Sequence, residues 1–200
     1  NLTQDQLQHI LMPLGDFDSK EKVREIAARF DPHVGGKSDS QEICFIPDDD
    51  HSRFLTEHLG DAIQPGDFVD PEGHKLGRHK GIVHYTIGQR KGLGLSLGKP
   101  GYVTKIETDT NRVIVGGAED VFSDTLFANA LNFMPFETLT EPMRVMAKIR
   151  YAAPPASATI YPEGEDLLKV VFDKPQRAIT PGQAVAFYIG DMLIGGATIR

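Results

Sequence analysis

The residue whose type most directly offers chemistry is Cys44, the single cysteine among 200 residues. Because it has no partner cysteine in the chain, no internal disulfide can form. It lies in the apolar run Ile43-Cys44-Phe45-Ile46. A thiolate is a nucleophile and a possible sulfur carrier, and Lys37 would favour that form whereas Asp39 and Glu42 would oppose it. An apolar strand favours a buried, inert thiol instead. The residues alone leave both interpretations open.

A second candidate is a basic segment between His74 and Lys105, which holds seven Lys/Arg and no Asp or Glu. The whole chain has a formal net charge of −7, which argues against a general nucleic-acid binder. The local asymmetry nevertheless favours an anionic ligand, and a solvated face is the alternative. We expect four of its cations to lie on one face and contact phosphates: Arg78, Lys80, Arg90 and Lys91.

Glycines and histidines in the same segment carry less information. The run from Gly88 to Gly94 is not a P-loop, because it lacks the required Lys-Ser/Thr ending and no helical pattern follows it. His74, His79 and His84 are spaced unlike usual metal ligands, so the sequence predicts no metal site.

Arg150-Tyr151 ends a predicted strand, and Thr180-Pro181-Gly182-Gln183 forms a predicted turn. An arginine beside an aromatic ring at a strand end can pair a phosphate while the ring stacks on an unpaired base. The alternative is a rim residue beside a packed tyrosine.

The elements that must position these residues change along the chain. Near the amino terminus, Asp18 and Glu21 suggest a capping box, followed by an apolar helical stripe that ends at Asp31-Pro32. Further helices are expected near Leu2–Leu7 and His51–Leu59, with a loop at 35–40 and a buried strand at 43–46. Short strands at intervals of about 8–12 residues then predict small β-barrels. They are Phe68–Val69, Gly81–Ile87, Tyr102–Glu107, Arg112–Gly116, Leu126–Leu131, Met143–Tyr151, Ala156–Tyr161, Leu167–Phe172, Ala184–Tyr188 and Met192–Arg200.

Composition narrows the class of protein. The chain is 40% hydrophobic and 24% charged, without an apolar run long enough to span a membrane and without a signal peptide pattern. We therefore expect a cytoplasmic protein with no membrane partner. Its first residue is Asn1, which suggests a piece of a longer protein.

Four motifs in order give the chain a resemblance to bacterial tRNA-specific 2-thiouridylases, covering essentially all 200 residues. The motifs are Asp39-Ser40-Gln41-Glu42-Ile43-Cys44-Phe45-Ile46, the run His84-Tyr85-Thr86-Ile87-Gly88-Gln89-Arg90-Lys91-Gly92-Leu93-Gly94, Lys148-Ile149-Arg150-Tyr151 and Ile179-Thr180-Pro181-Gly182-Gln183.

The resemblance implies an enzyme that replaces the 2-oxygen of the wobble uridine with sulfur. A PP-loop domain adenylates that oxygen with ATP, and two cysteines handle the sulfur. Cys44 matches the cysteine that carries the persulfide, whereas the first cysteine and the PP-loop have no counterpart here. Arg150, Tyr151 and Gln183 match tRNA contacts.

The resemblance also implies an organisation. Residues 1–50 correspond to the end of the catalytic domain with its cysteine loop, residues 51–120 to a central domain, and residues 121–200 to a translation-factor-like β-barrel. The expected fold is mainly β with a short α-helical amino-terminal segment. The chain would need no cofactor of its own, since ATP with Mg would bind in the missing domain. Expected partners are tRNA and a sulfur-donor relay protein, and the expected state is a monomer.

Two rival functions remain. The chain could be a non-catalytic RNA-binding module with a structural cysteine, or a stand-alone cysteine hydrolase. A PP-loop encoded upstream of Asn1 would favour the thiouridylase over both.

Overall fold

A computed structural model describes residues 2–37, 43, 45, 46, 48 and 50–200. The chain divides into two compact units, Leu2–Phe54 and Leu55–Arg200. No helix in the described part of the chain has the length and apolar character needed to cross a membrane.

The first unit is helical. Its helices are α1 (Gln4–Gln8), α2 (Lys20–Phe30) and α3 (Pro32–Gly36), and α4 (His51–Leu59) continues into the second unit.

The start of α2 differs from the sequence prediction by one residue. Ser19, not Asp18, is the N-cap, since its backbone is extended and its Oγ accepts a hydrogen bond from the backbone N–H of Lys22. Asp18 instead forms an ion pair with the Lys22 ammonium, at 2.7 Å. Hydrogen bonds from the backbone of Glu21 and from Ser19 lower the pKa of the Glu21 carboxyl.

Asp31 ends α2 as predicted, but a loop does not follow immediately. The Asp31 side chain accepts a hydrogen bond from the backbone N–H of His33 at 2.9 Å, and Pro32 occupies the first turn of α3. Proline suits that position because it has no N–H to leave unsatisfied. The predicted loop at 35–40 is therefore wrong at Gly35 and Gly36, which are helical.

The predicted strand at 43–46 is also wrong in its described residues. Ile43, Phe45 and Ile46 belong to no strand, and the Ile46 N–H donates to the Ile43 carbonyl at 2.8 Å in a turn. Ile46 is buried while Phe45 is exposed. A short apolar run becomes a buried strand only where a neighbouring strand pairs with it, which sequence periodicity does not reveal.

The second unit begins with a four-stranded sheet in the order β2-β1-β4-β3. Strand β1 runs parallel to β4, and the other neighbours are antiparallel. Its centre is fully buried around Phe68, Val103 and Val113. The strands are β1 (Gly66–Val69), β2 (Lys75–His79), β3 (Tyr102–Glu107) and β4 (Arg112–Gly116).

The predicted strand Gly81–Ile87 is wrong, and β2 was missed. Gly81 adopts φ +130° and a 3₁₀ turn follows at Ile82–His84. Tyr85 then packs edge-on against Phe68 in the core of the sheet. A turn that buries one aromatic ring gives much the same apolar composition as a strand.

The remaining strands form a closed six-stranded barrel in the order β10-β5-β8-β7-β6-β9. Its interior includes Ile160, Leu168 and Phe187, which are fully buried. The predicted class, mainly β with a helical start and a carboxy-terminal barrel, is confirmed. The strands are β5 (Phe122–Phe133), β6 (Met143–Lys148), β7 (Ala156–Gly164), β8 (Leu167–Arg177), β9 (Ala184–Ile189) and β10 (Met192–Ile199).

Candidate functional site

Cys44 lies outside the residues that the structure describes, so its role as a sulfur carrier and its accessibility remain predictions. The described neighbours lie in the helical unit. The Phe45 ring contacts that of Phe54 at a centroid distance of 5.4 Å, and Asp48 forms an ion pair with Arg53 at 2.7 Å.

The loop from His84 to Gly94 is fixed to the edge of β3. The N–H of Gly88 donates to the carbonyl of Val103 at 2.7 Å, and the N–H of Val103 donates back to Gln89 at 2.9 Å. Gly88 has φ +87°, a conformation that favours glycine. These two backbone hydrogen bonds orient the chain just before Arg90.

The Gln89 side chain closes the turn that displays the cations. Its Oε1 accepts a hydrogen bond from the N–H of Thr86 at 3.0 Å, and its Nε2 donates to the carbonyl of Lys91 at 3.0 Å. Arg90 and Lys91 themselves are exposed. The glycine-rich motif therefore holds one guanidinium and one ammonium group toward solvent on a hydrogen-bonded turn, as a phosphate contact requires.

Flanking carboxylates neutralise part of the basic segment, which the sequence reading missed. Lys75 pairs with Asp67 of β1 at 2.7 Å, and Lys105 pairs with Glu107 at 3.0 Å. The Lys75 hydrogen bond and the positive charge of nearby Arg78 hold the pKa of the Asp67 carboxyl below its ordinary value. The charge available to a ligand is thus smaller than the count of seven cations suggests.

The other predicted phosphate ligands are distributed over the same domain. Arg78 and Lys80 are exposed, at and just beyond β2. Burial, and then the charge of Lys80, lower the pKa of the His84 imidazole. Arg90 and Lys99 line a shallow groove of about 320 Å³. That all four predicted cations share one face stays a prediction.

One exposed cluster has metal-ligand chemistry. Asp70, Glu72 and His74 each place a ligand atom within 4.8 Å of the others, and His74 Nδ1 lies 3.0 Å from Asp70 Oδ2. His79 and His84 do not belong to this cluster. Exposed acidic turns are common without a metal, so the arrangement alone assigns no metal site.

The structure brings the barrel candidates together. Arg150 is half-buried, and its Nη2 donates to the Ala178 carbonyl and to Thr180 Oγ1, the latter at 2.9 Å. The N–H of Gln183 donates to the Thr180 carbonyl at 3.3 Å. Arg150 thus fixes the turn that presents the exposed Gln183, a positioning contact that the sequence did not predict.

Tyr151 is 98% exposed, so the packed-tyrosine alternative is wrong. The Lys148 ammonium lies 5.6 Å from the centroid of its ring, within cation–π range. An exposed ring next to a cation is suited to stack on a base while a phosphate approaches the ammonium.

Ala178 links the two sets of candidates. It has φ +55°, its N–H donates to the Val121 carbonyl at 2.7 Å, and its carbonyl accepts from Arg150. The neighbouring Arg177 donates to the carbonyl of Gly88 at 3.2 Å. The barrel turn and the glycine-rich loop therefore meet at this point. Sequence reasoning missed Arg177, although it adjoins the Ile179-Gln183 motif.

Three family models match consecutive parts of the chain. They are described as a tRNA methyl transferase HUP domain (residues 1–48), a tRNA methyl transferase PRC-barrel domain (52–117) and an aminomethyltransferase beta-barrel domain (123–199). Together these models cover both the sheet and the barrel, so the chain matches a multidomain class of protein.

Individual relatives are more specific. The chain is 53% identical over all 200 residues to the tRNA-specific 2-thiouridylase MnmA of Acetivibrio thermocellus, of which it covers 55%. It is 54% identical over 200 residues to the protein of that name from Clostridium acetobutylicum, covering 56%, and 53% identical to that from Carboxydothermus hydrogenoformans, covering 54%. The chain spans about half the length of these curated relatives. It belongs to the tRNA-specific 2-thiouridylase family.

Proposed function

We propose that the chain is the central and carboxy-terminal part of a tRNA-uridine 2-sulfurtransferase, which thiolates C2 of the wobble uridine of tRNA in an ATP-dependent reaction. The observation that carries this proposal is the identity of 53%, extending over every residue of the chain, to a protein named for that activity.

The chemistry assigns a definite task to Cys44. The uridine 2-oxygen attacks the α-phosphate of ATP, pyrophosphate leaves, and the oxygen becomes part of a good leaving group. The outer sulfur of a Cys44 persulfide then bonds to C2 as the C2–O bond breaks and AMP departs. The thiolate of a second cysteine then attacks the inner sulfur of Cys44. The S–S bond breaks, its electron pair stays on the sulfur now bound to C2, and a disulfide between the second cysteine and Cys44 remains. The side chain at position 44 must therefore be a thiol, because an alcohol cannot form the persulfide that carries the sulfur.

In this proposal each part of the chain has a separate function. Residues 1–50 supply the cysteine loop, residues 51–120 and the barrel at 121–200 hold tRNA, and ATP with Mg binds outside these 200 residues. A relay protein loads the sulfur in the cytoplasm, and the protein acts as a monomer. The chain by itself would bind tRNA without catalysing thiolation.

The residues proposed to hold tRNA are supported by exposure and by their mutual placement. Arg90 and Lys91 lie on a turn that Gln89 closes. Tyr151 is exposed beside Arg150, whose contact with Thr180 fixes the turn of Gln183. Phosphate contacts of this kind position RNA without reading its sequence, so the proposal names no particular tRNA.

A substitution at Cys44 tests the catalytic part. In the full-length enzyme, Cys44→Ser should abolish thiolation and leave tRNA affinity nearly unchanged, because an alcohol cannot carry the outer sulfur. Thiolated uridine is measured by mass spectrometry of digested tRNA, and affinity by filter binding. Thiolation at the wild-type rate would overturn the proposed role of Cys44 and favour an RNA-binding module with a structural cysteine.

A salt series tests the tRNA-binding part. Each lost phosphate contact lowers the slope of log affinity against log salt by roughly 0.7–0.9, so Arg90→Ala with Lys91→Ala should lower it by about 1.4–1.8. The matched control is Lys75→Ala with Lys105→Ala, since both of these ammonium groups are paired to carboxylates. We expect a smaller change in the control. Equal slopes in the wild type and the Arg90/Lys91 variant would show that the turn is only a solvated loop.

A further inference from the structure

A groove crosses the outer face of the barrel at the junction of β6 and β9, with a volume of about 470 Å³. The register pairs Met146 with Tyr188 and Lys148 with Ala186. These side chains alternate with the buried interior residues, so Met146, Lys148 and Tyr188 face outward. The groove is lined by Met146, Lys148, Pro155, Tyr188, Gly190 and Asp191.

The middle of the groove suits a flat aromatic ligand. Tyr188 offers a half-buried ring directly opposite the thioether of Met146, and Pro155 contributes a further apolar surface. The Met146 sulfur accepts a hydrogen bond from Ser157 Oγ at 3.5 Å, which restricts an otherwise flexible side chain. Aromatic rings and thioethers both pack well against π-systems.

The two ends of the groove carry opposite charges. In the antiparallel register, Lys148 lies on one side of the Met146–Tyr188 pair, and the turn containing Asp191 lies on the other. An ammonium suits a phosphate, whereas a carboxylate repels a phosphate and accepts hydrogen bonds from amino groups. A nucleotide whose base carries an exocyclic amino group has this same order of phosphate, ring and donor.

The groove is continuous with the candidate site already described. The same ammonium group, that of Lys148, lines the groove and lies over the exposed Tyr151 ring.

We propose that this groove is a second stacking subsite for an unpaired nucleotide of tRNA, with its base against the surface formed by Tyr188 and Met146 and its phosphate at Lys148. The inference rests on the proposed function, which it deepens by adding Lys148 and Tyr188 as tRNA-binding residues. An apolar peptide segment is the rival occupant, but the cation shared with Tyr151 favours RNA.

The test compares tRNA affinity in full-length variants across a salt series. Since stacking of one base is worth about 1–3 kcal/mol, Tyr188→Leu should weaken binding by about fivefold or more, with an unchanged salt slope. Tyr188→Phe keeps the ring and should stay within about twofold of the wild type. Lys148→Ala should lower the slope by roughly 0.7–0.9.

The matched control is Tyr161→Leu. Tyr161 is a half-buried tyrosine on β7 of the same barrel, paired in register with Lys169, and it does not line the groove. Equal affinities of Tyr188→Leu and Tyr161→Leu would overturn the subsite, as would a loss of affinity in Tyr188→Phe equal to that in Tyr188→Leu.

Two further outcomes separate this inference from the function beneath it. If the wild type binds tRNA and the Arg90/Lys91 variant weakens it while Tyr188→Leu does not, the subsite fails and the proposed function stands. If the wild-type enzyme does not bind tRNA, the proposed function fails. Loss of thiolation in Tyr188→Leu when a donor protein delivers the sulfur, with tRNA affinity unchanged, would assign the groove to a protein and overturn the inference.

Discussion

The helical unit Leu2–Phe54 and the β-rich unit Leu55–Arg200 differ in how far their apolar side chains are buried. In the helical unit Leu11 is 91% exposed and Phe30 is 88% exposed, and Ile46 is the one buried residue among those described. The β-rich unit contains two buried clusters, one in the sheet and one in the barrel.

This difference shows where the free energy of folding arises. Burial of apolar area is the dominant stabilising contribution, so the described chain is stabilised mainly by its sheet and its barrel. The unit that contains the proposed sulfur carrier gains little from its own described side chains, whereas the unit proposed to hold tRNA has a core of its own.

The largest effect is expected from a matched pair of phenylalanines. Phe187→Ala in the barrel should lower the free energy of unfolding by about 3–5 kcal/mol, because it leaves a cavity in a closed core. In the same 200-residue chain, Phe30→Ala in α2 should change it by less than about 0.5 kcal/mol, since the ring is 88% exposed there. Urea unfolding followed by circular dichroism measures both. An equal loss of unfolding free energy in the two variants would contradict the inferred difference in burial between the units.

Glycine-to-alanine substitutions, one in each unit, test the same difference in packing at the backbone. A Cβ at Gly66 would collide with the Asn111 carbonyl and with the His79 ring, so Gly66→Ala should cost about 1–3 kcal/mol. Gly36→Ala in α3 meets nothing within 4 Å and should be neutral or slightly stabilising. Thermal melting of the two variants checks this expectation, and a neutral Gly66→Ala would contradict it.

His79 gives the β-rich unit a pH dependence. It is buried between Phe68 and Tyr85, its Nδ1 accepts a hydrogen bond from the Gly81 N–H at 3.1 Å, and its Nε2 lies 3.2 Å from the Asn111 carbonyl. These partners fit the neutral ring. Burial, aided by the charge of Arg78, lowers the pKa of His79 below its ordinary value of 6.5.

The sign of the effect follows from that shift. Because the folded pKa is depressed, the unfolded chain binds the proton more readily, and stability present above pH 6.5 is lost as the pH falls below it. Unfolding experiments at pH 7.5 and 5.5 should show this loss in the wild type and a smaller one in His79→Gln. His33→Gln, at an exposed position of α3, is the control. The same pH dependence in His79→Gln and the wild type would exclude His79 as the source.

The smallest effects are expected at surface ion pairs, in both units alike. Arg144 makes two hydrogen bonds of 2.7 Å to the Asp173 carboxylate, whereas Lys22 pairs with Asp18 through one ammonium. All four groups are largely exposed, so Asp173→Asn and Asp18→Asn should each cost less than about 1 kcal/mol. A loss well above that at either position would show that the pair is less screened than its exposure indicates.

Local patterns predicted much of the fold. The strands at 102–107 and 112–116 have the predicted bounds, and α2 ends at Phe30 with Asp31 as its C-cap before Pro32. These features depend on alternation and on proline sterics. The errors at Gly81–Ile87 and at 43–46 occur where apolar residues serve a turn. Whether such a run pairs with another strand depends on distant residues.

The sequence by itself determined the family, through four ordered motifs, and the mainly β architecture, through the spacing of its strands. Only the tertiary structure decided which charges remain available to a ligand. Lys75 and Lys105 are paired by carboxylates of neighbouring strand positions, while Arg90 and Lys91 stay exposed on a turn that Gln89 closes. It also decided that Arg150 is held by a turn almost thirty residues away. The sequence shows that a side chain is charged. Whether that charge can contact a ligand depends on which carboxylates the fold places beside it.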